Sequence, residues 1–323
     1  MHLRIHRVEA TLKRFQNKIA ESRYALPFML VFATLAWVAG GLLYDQQLWA
    51  PYACTIVAAY LMVELNNINA LIRIYSRMVS CSFLALTSLA AFQFSSLQGS
   101  IAQLCFVAFY ICLFHAYQEK RGAGWVFYAF FCLGMASTVF VQIVFFVPFL
   151  WLVLGRFLMA LSARTFWASI VGLIAPYWFV VTYYIATDRL ADFAAHFTEM
   201  ARFSPLFDYS MVNEHQIITF IFVVLLSAMG SIHFLRRSFL DKIRTRMLFN
   251  VFIYVNALTI VFIILQPQHF DVLLKLMMVN TSILIAHYIA LTRTRATNIS
   301  FHFILAAVLF LTIYNLWIPS LIY

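Results

Sequence analysis

Apolar runs of about 20 residues recur along the whole of this chain, separated by short polar clusters, and no other feature constrains its fold so much. A run of that length spans the roughly 30 Å hydrocarbon core of a bilayer as a single α-helix, where every backbone N–H and C=O must be bonded internally. With 64% hydrophobic and 11% charged residues, the chain lacks the polar surface that a soluble domain needs. The expected fold class is therefore all-α, a polytopic transmembrane helical bundle. A formal charge of +10 does not point to nucleic acid, because Lys and Arg stand in short clusters between apolar runs, where orientation in a membrane accounts for them. Cys54, Cys81, Cys105, Cys112 and Cys132 all fall inside apolar runs, without CxxC or Cys/His spacing, so they read as small core residues. No metal or cofactor is expected. The basic stretch before residue 25 is too long and too amphipathic for the leading part of a cleavable signal.

Spans are expected at 25–44, 48–65, 79–97, 101–118, 165–186, 217–235, 247–266, 272–291 and 299–318, with a longer apolar run from Trp125 to Ser162. As one helix that run would measure roughly 57 Å at about 1.5 Å per residue, nearly twice the hydrocarbon thickness. It must turn back, and the turn is expected between Val141 and Pro148. The total is about eleven spans, with the N-terminus inside and the C-terminus outside. On this arrangement all but Arg189, Arg202 and Lys275 of the 22 Lys and Arg lie on the cytoplasmic side, the bias that orients membrane proteins. Residues 1–24 carry Arg4, Arg7, Lys13, Arg14, Lys18 and Arg23, with Ile5, Val8, Leu12, Phe15 and Ile19 at helical spacing. They read as a basic amphipathic helix on the inner leaflet, or as a solvated tail supplying charge, ahead of a single membrane domain over 25–323.

Thr187 to Gln216 is the one long acidic segment, where Asp188, Asp192, Glu199, Asp208 and Glu214 outnumber Arg189 and Arg202. Residues 188–203 have helical periodicity, with Leu190, Phe193, Ala194, Phe197, Met200 and Ala201 on one face and Asp188, Asp192, His196 and Glu199 on the other. Ser204-Pro205 is expected to end this helix, which reads as an outer lid lying in the membrane interface.

Other polar residues divide between structural and functional readings. Asn69, Arg73 and Arg77 would share a helix face suited to an anionic head group, but capping by Asn66 or Asn67 and orienting arginines explain the same stretch more simply. Arg156 sits inside an apolar run, a position that is costly unless it serves a function or snorkels to the interface. Lys275 stands at the outer end of a span, against the orienting bias, where it either pairs with Asp271 or marks an anion site. His115, His233, His287 and His302 have no second ligand at metal spacing and read as hydrogen bonders between helices.

From Leu71 to about Tyr184 the chain resembles the GT-C superfamily of polyprenyl-phosphate-dependent membrane glycosyltransferases. LIRIYSRMVSCSFLALTSL is similar to the arginine-marked start of their third span. EKRGAGWVFYAFFCLGMASTVFVQIVFFVPFLWLVLGR is similar to their basic elbow, small-residue span and short hairpin. The chain also resembles a group of bacterial multi-pass membrane proteins of about this length. The resemblance implies a bacterial inner-membrane protein handling lipid-linked glycans, with sugar transfer from a polyprenyl phosphate at the outer face. Asp45, Asp188 and Asp192 would be the candidate catalytic carboxylates, and Arg189, Arg202, Lys275 and Arg156 the substrate-binding cations. The long first outer loop of those enzymes is represented here only by Asp45-Gln46-Gln47. The implied partners are membrane lipids. A non-catalytic membrane scaffold is the alternative, and a transporter or flippase the third reading, for which ionisable residues near mid-membrane are sparse.

Overall fold

In the computed structural model, which describes residues 14–321 apart from 201, 203 and 204, all regular structure is helical. A short α1 (Phe15–Ala20) precedes α2 (Ala25–Ala39), α3 (Trp49–Asn69), α4 (Met78–Leu89), α5 (Leu97–His115) and α6 (Ala123–Val139). There follow α7 (Val147–Arg156), α8 (Ala163–Ala186), α9 (Leu190–Met200), α10 (Glu214–Arg237), α11 (Ile243–Leu265), α12 (Phe270–Leu291) and α13 (Arg295–Leu321). Seven of these, α3, α5, α8 and α10 to α13, are long and apolar enough to cross a membrane. The shorter α2, α4, α6 and the stretch 141–156 are apolar as well. This is the helical architecture of a multi-pass membrane protein, and each apolar run of the sequence carries a helix.

Local sequence sets where the helices begin and end. Ser162 and Thr165 form a capping box at the start of α8, and Asn213 and Gln216 form another at the start of α10. Ser96 accepts from the Gly99 N–H at the start of α5. Ala70 adopts a left-handed φ of 46° and stops α3. Consequently Asn69, Arg73 and Arg77 do not share a helix face, contrary to the expectation from their spacing. Asn66 organises the elbow instead, accepting from the Ile72 N–H and donating to the Ser76 carbonyl.

The long run from Trp125 to Ser162 breaks at Phe140 into a 3-10 turn over Val141–Phe146, followed by α7. Its two ends come back together: the Gln118 N–H donates to the Leu158 carbonyl at 2.8 Å and the Ser162 hydroxyl to the Lys120 carbonyl at 3.0 Å. The reversal lies in the expected place, and α8 then runs alongside α6. Gly134 meets the Leu173 carbonyl and Gly172 the Phe127 carbonyl so closely that neither site has room for a Cβ. Such contacts let two apolar helices approach where water supplies no driving force between them.

Hydrogen bonds gather the connections into two groups, at opposite ends of the bundle. At one end Arg73 reaches the Leu240 carbonyl, Arg244 reaches Asn69, and Gln16 reaches Thr292. At the other, Gln93 reaches the Asp271 carbonyl, Gln268 the Arg202 carbonyl, and Tyr209 the Ile264 carbonyl. Nearly all the Lys and Arg described lie at the first end, called the basic end below. α12 is the axis of the assembly, buried along almost its whole length against α4, α5, α10 and α11.

Two amphipathic segments differ from expectation in which residues face inward. α9 docks on α8 and the 141–146 turn, beginning at Leu190 and ending at Met200, and its packed face includes His196 as well as Phe193 and Phe197. The His196 ring lies 3.0 Å from the Ser137 carbonyl, whereas Leu190 and Ala194 are exposed. In α1 the most buried side chains are Gln16, Asn17 and Ala20, while Phe15 is exposed. The expected helix over residues 1–13 lies outside the described residues.

Candidate functional site

The residues singled out from sequence do not converge. Asp45 is exposed beside the Trp37, Leu48 and Phe94 cluster and accepts from the Gln47 N–H, capping the turn before α3. Asp188 is exposed, with a left-handed φ of 55°, just ahead of α9 on the α8 side of the bundle. Arg189 and Asp192 are spent on each other at 2.6 Å, and the hydrogen bond to the Asp192 carboxylate raises the Arg189 pKa. Arg202 is exposed, and its carbonyl accepts from Gln268. Arg156 is exposed as the last residue of α7, near the basic end, a position that suits snorkelling. In the same acidic segment, Asp208 is held below its ordinary pKa by the Ser210 hydroxyl and N–H. Because that folded value lies below the unfolded one, the contact stabilises the turn above the unfolded pKa and fades as pH falls through the lowered one.

Lys275 lies 6% exposed on α12, where its ammonium donates to the Ser96 carbonyl at 3.1 Å and the Ser100 hydroxyl at 2.7 Å. Asp271, one turn away, accepts from Gln216 instead. A void of about 10 Å³ borders Lys275, Thr55, Thr87, Gln93 and Gln103. It has room for about one water and none for a phosphate.

A second buried charge cluster, not evident from spacing, closes the basic end. Asp241 lies between His287, whose Nε2 is 3.1 Å from one carboxylate oxygen, and Arg73, whose guanidinium is 3.7 Å from the other. Arg244 joins the Asn69 side chain and the Phe114 carbonyl nearby. The partners are 46 and 168 residues apart in sequence for Asp241, so only the fold brings them together. No group of His, Cys, Asp and Glu able to hold a metal occurs among the described residues.

A much larger concavity lies elsewhere. A cavity of about 550 Å³ opens between α2, α4 and α13, with α12 behind it and α1 across its end. Its walls are apolar side chains such as Phe28, Phe32, Met78, Ala85 and Leu305. Its size is that of a typical small-molecule site, yet it has few of the convergent polar groups that orient a soluble ligand. α1 is held in place by Gln16, which donates to the Ile289 carbonyl at 2.6 Å and the Thr292 hydroxyl at 2.7 Å, and by Asn17, which donates to the Thr292 carbonyl at 2.9 Å. In sequence these two amides pass for solvated residues of a basic segment, and no periodic signal marks them. Comparison with family models, curated proteins and solved structures found no match.

Proposed function

We propose that this chain is a lipid-handling protein of a bacterial inner membrane, crossing it eleven times with the basic end in the cytoplasm, and that it takes the hydrocarbon chain of a lipid into the cavity between α2, α4 and α13. The apolar lining of that 550 Å³ space carries the proposal, since a chain lying there exchanges one apolar environment for another and gains packing contacts. Sugar transfer from a polyprenyl phosphate, the activity implied by the sequence resemblance, would need a free carboxylate and free cations around one phosphate-sized space. The pairing of Arg189 with Asp192, and of Lys275 with Ser96 and Ser100, favours lipid binding without transfer. A photoactivatable fatty-acyl phospholipid incorporated into proteoliposomes tests the reading. Crosslinks are expected at residues such as Met78, Ala85 and Leu305, well above the level at the outward faces of α8. Labelling spread evenly over the lipid-facing surface would mean that the cavity holds no particular lipid.

A further inference from the structure

The cavity wall contains one polar group with nothing to bond. Ser82, on the second turn of α4, is 6% exposed and borders the apolar space, and its hydroxyl, covered in this rotamer, has no hydrogen-bond partner. A buried hydroxyl left unpaired costs free energy, and a ligand that supplies an acceptor removes the cost. The mouth of the same cavity, between α1 and α2, is made by Ser22 and Tyr24, with Arg23 between them in sequence. Arg14, Lys18, Arg23, Arg293 and Arg295 belong to the segments 14–25 and 289–298 at this end of the bundle, which contain a single acid, Glu21. Ser82 lies about 6 Å deeper than the first residue of α4, at about 1.5 Å rise per residue.

From this placement we infer that the site selects an acidic glycerophospholipid of the inner leaflet: its phosphate lies among Arg23, Lys18 and the Ser22 hydroxyl, an ester carbonyl accepts from Ser82, and one acyl chain fills the apolar space. The inference rests on the lipid-chain reading above and adds the head group. A polyprenyl phosphate shares the phosphate and the apolar chain but has no ester carbonyl, so it leaves Ser82 unpaired. Charge favours an acidic lipid here because cations close to a bilayer surface attract anionic head groups, and the hydroxyls at the mouth can donate to phosphate oxygens.

The test is native mass spectrometry of the full chain, purified in detergent and titrated with phosphatidylglycerol, phosphatidylcholine, the diether analogue of phosphatidylglycerol and a polyprenyl phosphate. Phosphatidylglycerol is expected to bind best. Lys18→Gln and Arg23→Gln should each weaken it by about fivefold and weaken phosphatidylcholine less. The diether should bind about threefold to tenfold more weakly than the ester, and Ser82→Ala should abolish that difference. Ala85→Trp and Leu305→Trp, which fill the cavity from opposite walls, should each reduce retention of every lipid; two such variants guard against one that fails to fold. Equal binding of ester and diether, or of acidic and zwitterionic lipid, overturns the head-group inference while the chain reading stands. Tighter binding of polyprenyl phosphate overturns the choice of glycerophospholipid. Retention indifferent to both tryptophans in folded protein overturns the chain reading itself.

Discussion

Lys275 and Asp241 are both buried charges, but the groups around them predict opposite responses to removal. If Lys275 becomes Met, the Ser96 carbonyl still accepts from the Ser100 hydroxyl and N–H, so no neighbour is orphaned, and the cost of burying an ammonium disappears. Lys275→Met is therefore expected to accumulate normally and to change stability by no more than about 1 kcal/mol. Asp241→Ala leaves the buried His287 Nε2 without its partner, while Arg73, partly exposed, keeps the Leu240 carbonyl, so the variant should cost about 1–3 kcal/mol. Denaturation midpoints in mixed detergent and SDS compare the two variants. A severe loss in Lys275→Met alongside a silent Asp241→Ala would mean that the roles of the two sites are reversed. Neither outcome was legible in the sequence. Asp271 is the nearest carboxylate to Lys275 along the helix, yet α5 supplies its partners, and no local pattern marks Asp241 as buried.

At the scale of elements, length and period were good guides, and facing was less so. The apolar runs became helices because hydrocarbon-length stretches have few other stable forms, and length arithmetic required the long run to reverse, which it does at Val141–Phe146, inside the expected stretch from Val141 to Pro148. For α9 the period is right but the face includes His196, because a carbonyl left free at Ser137 near the end of α6 gives the imidazole a better partner than water. For α1 the facing depends on acceptors at the α12–α13 corner, which are invisible from residues 15–20 alone. α9 is held mainly by rings on α8: Phe197 lies 5.2 Å from Tyr177, and Phe193 lies 6.0 Å from Tyr184. Contacts of this kind contribute about 0.5–1.5 kcal/mol each, so Phe197→Asp should release the lid while leaving the bundle folded. Limited proteolysis in proteoliposomes should then cut near residues 198–210 several times faster than in the parent protein. Unchanged cleavage would show that α9 is held by something other than these rings.

For the whole molecule, the pairing of connections turns a charge count into geometry. Each link at the basic end joins segments that the sequence assigns to the cytoplasm: 16 to 292, 73 to 241, 118 to 158 and 244 to 69. Each link at the opposite end joins segments assigned to the outside: 93 to 271, 142 to 199, 209 to 264 and 268 to 202. For the eleven crossings proposed above, seven of the described helices are long and apolar enough to span and four shorter apolar ones would have to serve as well; with Lys and Arg concentrated at one end, the positive-inside bias favours that end in the cytoplasm. Besides the 10-residue α7, which follows a 3-10 turn, the short α4 strains this arrangement, since its 12 residues fall short of the hydrocarbon thickness. Its flanks, however, are buried in protein, with Asn315 bonding the Leu89 carbonyl at one end and Asn66 bonding the Ser76 carbonyl at the other. Backbone covered in this way is tolerated at membrane depth. In a background with all five native cysteines replaced, Ser210→Cys should react with a membrane-impermeant maleimide on intact cells, and Ser238→Cys only after the inner face is opened. Ser95→Cys, between α4 and α5, should behave like position 210. Outer-face labelling of Tyr75→Cys, in the elbow before α4, while positions 95 and 210 also react from the outer face would remove α4 from the crossings and reverse the ends before it, and reaction of 210 from the inside alone would invert the protein as a whole.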